Sequence, residues 1–119
     1  MNVMKRIIGI GGTFALVACA SAQKPSSEEI SQAQGAERSA REVGAEHVPQ
    51  AALDLKLSQE ELAKSNALAK EGKNEEAERM LQRSKIDAEL SLALTRQSQA
   101  QAAAAQENDK LKAAQQKVE

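Results

Sequence analysis

The chain holds one cysteine and one histidine, and only the cysteine sits where chemistry is expected of it. Cys19 follows Leu16-Val17-Ala18, and those residues close a segment that begins with Lys5 and Arg6 and continues through an apolar run from Ile7 to Val17. A basic start, an apolar stretch and a small residue at the junction are the parts of a cleavable export signal. A cysteine directly after the junction predicts acyl chemistry. The thiol takes a diacylglyceryl group, the peptide is cut before Cys19, and the freed amine is acylated. The apolar run is too short to span a hydrocarbon core of about 30 Å, which takes ~20 residues, so the segment is read as removed. Lipidation also accounts for a solitary thiol in an oxidising compartment, where a free one is a liability. Each buried methylene contributes roughly 0.8 kcal/mol, so several acyl chains on one residue make a lasting membrane anchor.

No other group has such a setting. His47 stands beside Glu46 in a stretch that reads as a corner, and is taken as a solvated turn residue. A metal site needs several His, Cys or carboxylate groups converging, and none is visible, so no metal and no cofactor is expected. Glu60-Glu61 and Glu75-Glu76 are adjacent pairs that diverge by about 100° on a helix, which suits solvated faces and dipole partners better than an acid and base on one substrate. The serines have neither a second histidine nor a lysine dyad to activate them. Gly9 to Gly12 belong to the signal and cradle no phosphate. The expectation is a protein that is not an enzyme.

Composition narrows the partners. Of 16 basic residues Lys5 and Arg6 leave with the signal, so 14 basic stand against 17 acidic and the net charge is −3 with His47 neutral. That balance offers no polybasic grip on nucleic acid or anionic lipid. Phe14 is the only aromatic and lies in the signal, so the remaining chain has no ring on which a base or a sugar could stack. Neither nucleic acid nor a small-molecule substrate is expected, and the core must be built from Leu, Ile, Val, Met and Ala.

The elements that carry this chain read as helices. Ala20 to Ser27, with Pro25, looks like a tether. Ser26 followed by Glu29 has capping-box spacing, and Ile30, Ala33, Glu37 and Ala40 form a mostly small stripe, so a first helix is predicted from about Ser27 to Val43, ended by Gly44. Pro49 pushes Val48 out of the helical region and starts a second helix. On it Ala51, Leu55, Ser58, Leu62, Ser65 and Ala69 recur in steps of four and three, a narrow seam for a neighbouring helix, with Leu53, Leu57 and Leu68 on a second side. Gly72-Lys73-Asn74 makes a short turn, with Asn74 as the expected cap, so helices two and three run antiparallel. On the third helix Ala77, Leu81, Ala88 and Leu92 share one face, while Ile86, Leu90, Ala93 and Leu94 lie opposite. Two apolar faces call for burial from two sides, by the first helix or by a second copy of the chain. Past Thr95 the sequence turns to Gln, Ala, Lys and Glu, and the third helix is expected to run on to about Lys117, either as a solvated tail or, through Ala100, Ala104, Leu111, Ala114 and Val118 at heptad spacing, as a partner-binding or self-associating coiled coil.

The fold class predicted is therefore all-α, an antiparallel helical hairpin or three-helix bundle with a long, coiled-coil-like C-terminal helix after a cleaved signal peptide. The divisions are a signal at 1–18, a tether at 19–26, a helical domain at 27–96 and an Ala/Gln-rich tail at 97–119.

Gly44-Ala45 before Pro49, Leu62-Ala63 with Ala69, Gly72 ahead of an acidic helix start with Ala77, and Asp87-Ala88 before Leu92-Ala93 together resemble the small bacterial lipoproteins that carry domain of unknown function 4398. The resemblance covers about half the chain. It implies an envelope lipoprotein with a helical domain of unassigned role. With the lipobox Leu16-Val17-Ala18-Cys19, and with Ala20 rather than Asp after the cysteine, it points to the inner leaflet of an outer membrane facing the periplasm. Gly72 to Ala77 is also similar to the turn of a tetratricopeptide repeat, but a single unit is ordinary hairpin chemistry. The function expected is a non-enzymatic interaction or spacer module, with an envelope protein or a second copy as partner. The alternative is a structural lipoprotein associated with peptidoglycan or the outer membrane. Covalent linkage of the Braun type uses a C-terminal lysine, whereas Val118-Glu119 follow Lys117 here.

Overall fold

The structure is a computed structural model that describes residues 23–117, so Leu16, Val17, Ala18 and Cys19 lie outside the described residues. Among those described, the chain is α-helical apart from short turns and contains no strand.

Ser26 opens α1 (Ser27–Glu42). Its Oγ accepts the Glu29 N–H at 3.2 Å, while the Glu29 carboxylate accepts the Ser26 N–H at 2.9 Å and its hydroxyl at 2.7 Å. Two otherwise orphaned donors are thereby satisfied at the positive end of the helix. These bonds hold the Glu29 carboxyl below its ordinary range. Gly44 stops the helix at φ +91°, a conformation that costs a residue with a Cβ 1–2 kcal/mol or so. A single 3-10 turn, Ala45–His47, and the extended Val48 then lead into Pro49, the first residue of α2 (Pro49–Lys70).

The next turn is a Schellman closure. Gly72 has φ +76°, its N–H donates to the Ala69 carbonyl at 3.3 Å, and the Lys73 N–H reaches back to the Leu68 carbonyl at 3.0 Å. Helix α3 (Asn74–Gln116) follows at once. Lys73 takes the cap position expected of Asn74, because its carbonyl already accepts the Ala77 N–H at 2.9 Å.

The α2–α3 hairpin is held by hydroxyls. Ser65 Oγ donates to the Ala77 carbonyl at 2.7 Å, Ser58 Oγ meets Ser84 Oγ at 3.1 Å, and Ser91 Oγ donates to the Ala51 carbonyl at 2.7 Å. These three pairs lie six, thirteen and twenty residues to either side of Glu71, so the ladder repeats every seven residues and is symmetric about Ser58–Ser84. A side-chain hydroxyl reaches the facing main chain only where two helices approach closely, and the Ala and Ser at these positions permit that approach. Leucines fill the flank. Leu62 and Leu81 pack with Ala33, and Leu55 packs with Ala40, Ala45 and Ala51, with Leu92 against them.

Helix α1 lies along that flank, parallel to α3. Lys85 donates to Gln32 at 3.0 Å near its start, Glu37 accepts from Ser58 at 2.9 Å midway, and Gln99 donates to the Val43 carbonyl at 2.8 Å at its end. The three-helix arrangement covers one side of the hairpin only. Leu53, Leu57, Ile86 and Leu90 remain 53%, 39%, 61% and 44% exposed, so the expected burial from two sides is not met within one chain. The reason is geometric: α1 sits over Leu55, Leu62, Leu81 and Leu92 and leaves Leu53, Leu57, Ile86 and Leu90 uncovered, whereas Leu94, expected on the opposite face with Ile86 and Leu90, is instead half-buried against the cluster of Ala40, Ala45, Ala51 and Leu55. Thr95 is the last buried residue of α3, and every residue from Ala100 to Lys117 is exposed.

Candidate functional site

Two groups of polar side chains occupy the bundle. The first centres on Glu37, a carboxylate inside the alanine stripe of α1. Ser58 gives its one proton to Glu37 Oε1, so the hydroxyl proton of Ser84 is the one that bridges the two serines. The chain Ser84 to Ser58 to Glu37 joins all three helices at one level. It has the donor order of an activated hydroxyl, but Ser58 and Ser84 are fully buried and Glu37 nearly so. No substrate can reach that oxygen, and no imidazole stands by to take its proton. The arrangement sets the register of α1 on the hairpin: with apolar groups at these positions the helix could slide by a turn, whereas the buried Glu37 carboxyl meets the Ser58 hydroxyl at one position only.

The second group lies on the other side of the seam. Asp54 and Glu61 are seven residues apart on α2, which places both on one side of it, and Asp87 on α3 interacts with each. Asp54 is buried with Oδ2 lacking any hydrogen-bond partner, and Glu61 is half-buried with Oε2 in the same condition. Burial raises the Asp54 carboxyl above its ordinary range and the charge of Asp87 raises it further. Burial likewise raises Glu61, helped by the charge of Asp87 and a hydrogen bond with it, while Arg83 and Lys64 pull it down. The solvated reading of the Glu60-Glu61 pair thus holds for Glu60, which is exposed and 3.7 Å from Lys56, and fails for Glu61. Glu61 turns inward because the hairpin's close approach leaves its residue at the edge of the seam. Glu75 and Glu76 are exposed, with Glu75 paired to Arg79.

His47 is exposed in the 3-10 turn at the end of the bundle that α1 reaches with its C-terminus. At the opposite end a shallow groove lies between Gln23, Lys24 and Glu29 on one side and Glu75, Glu78 and Arg79 on the other. No group of three His, Cys, Asp or Glu among the described residues is arranged to hold a metal ion. None of the described helices is long and apolar enough to cross a membrane.

The hydroxyl ladder and the Asp54–Glu61–Asp87 group were not anticipated. The signals were present: Ala51, Ser58 and Ser65 at intervals of seven on α2, Ala77, Ser84 and Ser91 at intervals of seven on α3, and two acids seven apart between them. No family model, no curated protein and no solved structure matches this chain.

Proposed function

We propose that this chain is a lipid-anchored envelope protein, attached through Cys19 to the periplasmic face of an outer membrane, that acts as a helical interaction or spacer module and not as an enzyme. The lipobox Leu16-Val17-Ala18-Cys19, behind a basic start and an apolar run, supports the anchor. One structural observation supports the module. Gln23 and Lys24, the first described residues, lie at the Gly72 end of the bundle beside Glu75 and Glu78, whereas α3 leaves at the other end. Helix α3 has 43 residues, about 65 Å at 1.5 Å per residue. Its last exposed stretch, from Ala100 to Gln116, extends about 25 Å past the contact of Gln99 with Val43. Anchor and free helix at opposite ends suit a strut that presents its tail away from the lipid.

The test places the lipidated chain in vesicles with a quencher on the lipid headgroups and a dye at Lys24→Cys or Lys112→Cys. The strut requires strong quenching at position 24 and little at 112. Equal quenching at both would mean that the helices lie on the surface, and would end the spacer reading.

A further inference from the structure

We infer that the face of the α2–α3 hairpin turned away from α1 binds a second copy of this chain, across a two-fold axis at the level of Leu57 and Ile86. The inference rests on the interaction-module reading above and names its partner.

The apolar inventory is the first argument. The buried core holds three leucines, Leu55, Leu62 and Leu81, while Leu53, Leu57, Ile86 and Leu90 stand exposed. In a chain so poor in large side chains, four exposed aliphatics on one face of the hairpin are a large share of its apolar bulk. Leu53 and Leu90 lie eighteen and nineteen residues from Glu71, and Leu57 and Ile86 fourteen and fifteen, so the four form two rungs at neighbouring levels of the hairpin. Contiguous apolar patches of this kind mark interaction sites.

Charge is the second. Asp54 is 94% buried, from a relative exposure of 6%, its Oδ2 is unpartnered, and its charged neighbour is another acid, Asp87. That pair calls for a cation. The same side carries Arg83, one helical turn before Asp87 and exposed. Leu57 and Ile86 lie about fourteen to fifteen residues from the turn, Arg83 twelve, and Asp54 and Asp87 seventeen and sixteen. A two-fold axis at the Leu57–Ile86 level exchanges the last two levels. Each copy's Arg83 then comes level with the other copy's Asp87 and Asp54, and Leu57 with Ile86 of both copies meet at the centre. A self-complementary patch of this kind is what an isologous dimer needs.

Area is the third. Helix α2 spans 22 residues, about 33 Å, and two helices side by side are about 20 Å wide. The face therefore offers about 660 Å² per copy in projection, close to the ~800 Å² per partner of a standard stable interface.

The test uses the full chain in cells, with a benzophenone-bearing residue at position 57, at 86, or at exposed position 38 on α1 as control. The dimer predicts a product of twice the mass from 57 and 86 and none from 38, with both cross-linked peptides belonging to this chain. Arg83→Glu should lower the yield roughly tenfold or more. Adding Asp87→Arg to it restores the cation–acid pair with its charges exchanged and should recover the product. A product at 38 equal to those at 57 and 86, or no recovery in the double variant, would overturn the proposed face. Cross-linking of 57 and 86 to a different protein would overturn the second copy and leave the module reading standing. No product at any position would overturn both.

Discussion

Leu81→Ala removes the largest fully buried side chain of the bundle, from a pocket whose other walls are Leu62 and Ala33. Three carbons lost at roughly 0.8 kcal/mol each come to about 2.4 kcal/mol of transfer free energy. The pocket cannot collapse freely, because Ser84 and Ala77 on either side are tied to α2 through the hydroxyl ladder. A residual cavity raises the cost to about 3–4 kcal/mol, within the ~2–5 kcal/mol range for such truncations. A domain of this size has ~5 kcal/mol in total, and each kcal/mol moves its midpoint by about 4–8 °C. Thermal melts followed by circular dichroism at the helix minimum, on the chain from residue 20 onward, should show a fall of about 12–30 °C. Leu111→Ala is the control. Leu111 is 61% exposed on the free part of α3, and its truncation should cost less than about 0.5 kcal/mol. If Leu111→Ala lowers the midpoint as far as Leu81→Ala does, the tail organises the fold and the three-helix core does not.

Two further outcomes follow from the seam. Ser84→Leu should wedge α2 from α3, costing about 1–3 kcal/mol by overpacking and loosening the Ser65–Ala77 and Ser91–Ala51 bonds, whereas Ser84→Ala should cost under about 1 kcal/mol because Ser58 keeps Glu37. Hydrogen exchange at the amides of both helices distinguishes them, and a Ser84→Leu variant as protected as the parent would contradict the close approach. The Asp54 carboxyl is raised in the folded chain, so the folded state binds its proton more readily than the unfolded one, and the contribution of this group to stability is present in acid and lost as pH rises through the raised value. In the Arg83→Glu background, which removes the cation proposed to come from a second copy, Asp54→Asn should therefore melt above its parent near neutral pH, with the gap closing toward about pH 4; a variant that melts below that parent at neutral pH would show that the carboxylate is satisfied within the chain.

The sequence carried the helices and their junctions, because each rests on a local rule. Ser26 with Glu29, Gly44, Pro49 and Gly72 impose their geometry on the few residues around them, and the structure uses each as a cap, a stop or a start. The antiparallel pairing of Leu62 with Leu81 was also legible, since a short turn sets which residues face one another. Ser58 and Ser65 could be placed in the seam of α2, but their bonds, and the part played by Ser84 and Ser91, could not, because a hydroxyl's partner is fixed only once the distance between two helices is known. Glu37 could be placed in the α1 stripe but not given its role, which depends on Ser58 and Ser84 arriving from two other helices. Leu53, Leu57, Ile86 and Leu90 were correctly seen as second apolar faces, yet sequence periodicity marks a face without saying whether the same chain covers it. The lipobox residues lie outside the described structure, so the anchor rests on their pattern alone.

In the proposed reading, the anchor at Cys19 makes the bundle an envelope module. It is tested most directly by the intact mass of the chain extracted from membranes of cells that express it. The account predicts a polypeptide beginning at Cys19, heavier than residues 19–119 by a diacylglyceryl group and an amide-linked acyl chain, and found in the membrane fraction. A Cys19→Ser chain should lack both additions. Recovery of the parent as an unmodified polypeptide that retains residues 1–18 would contradict the account.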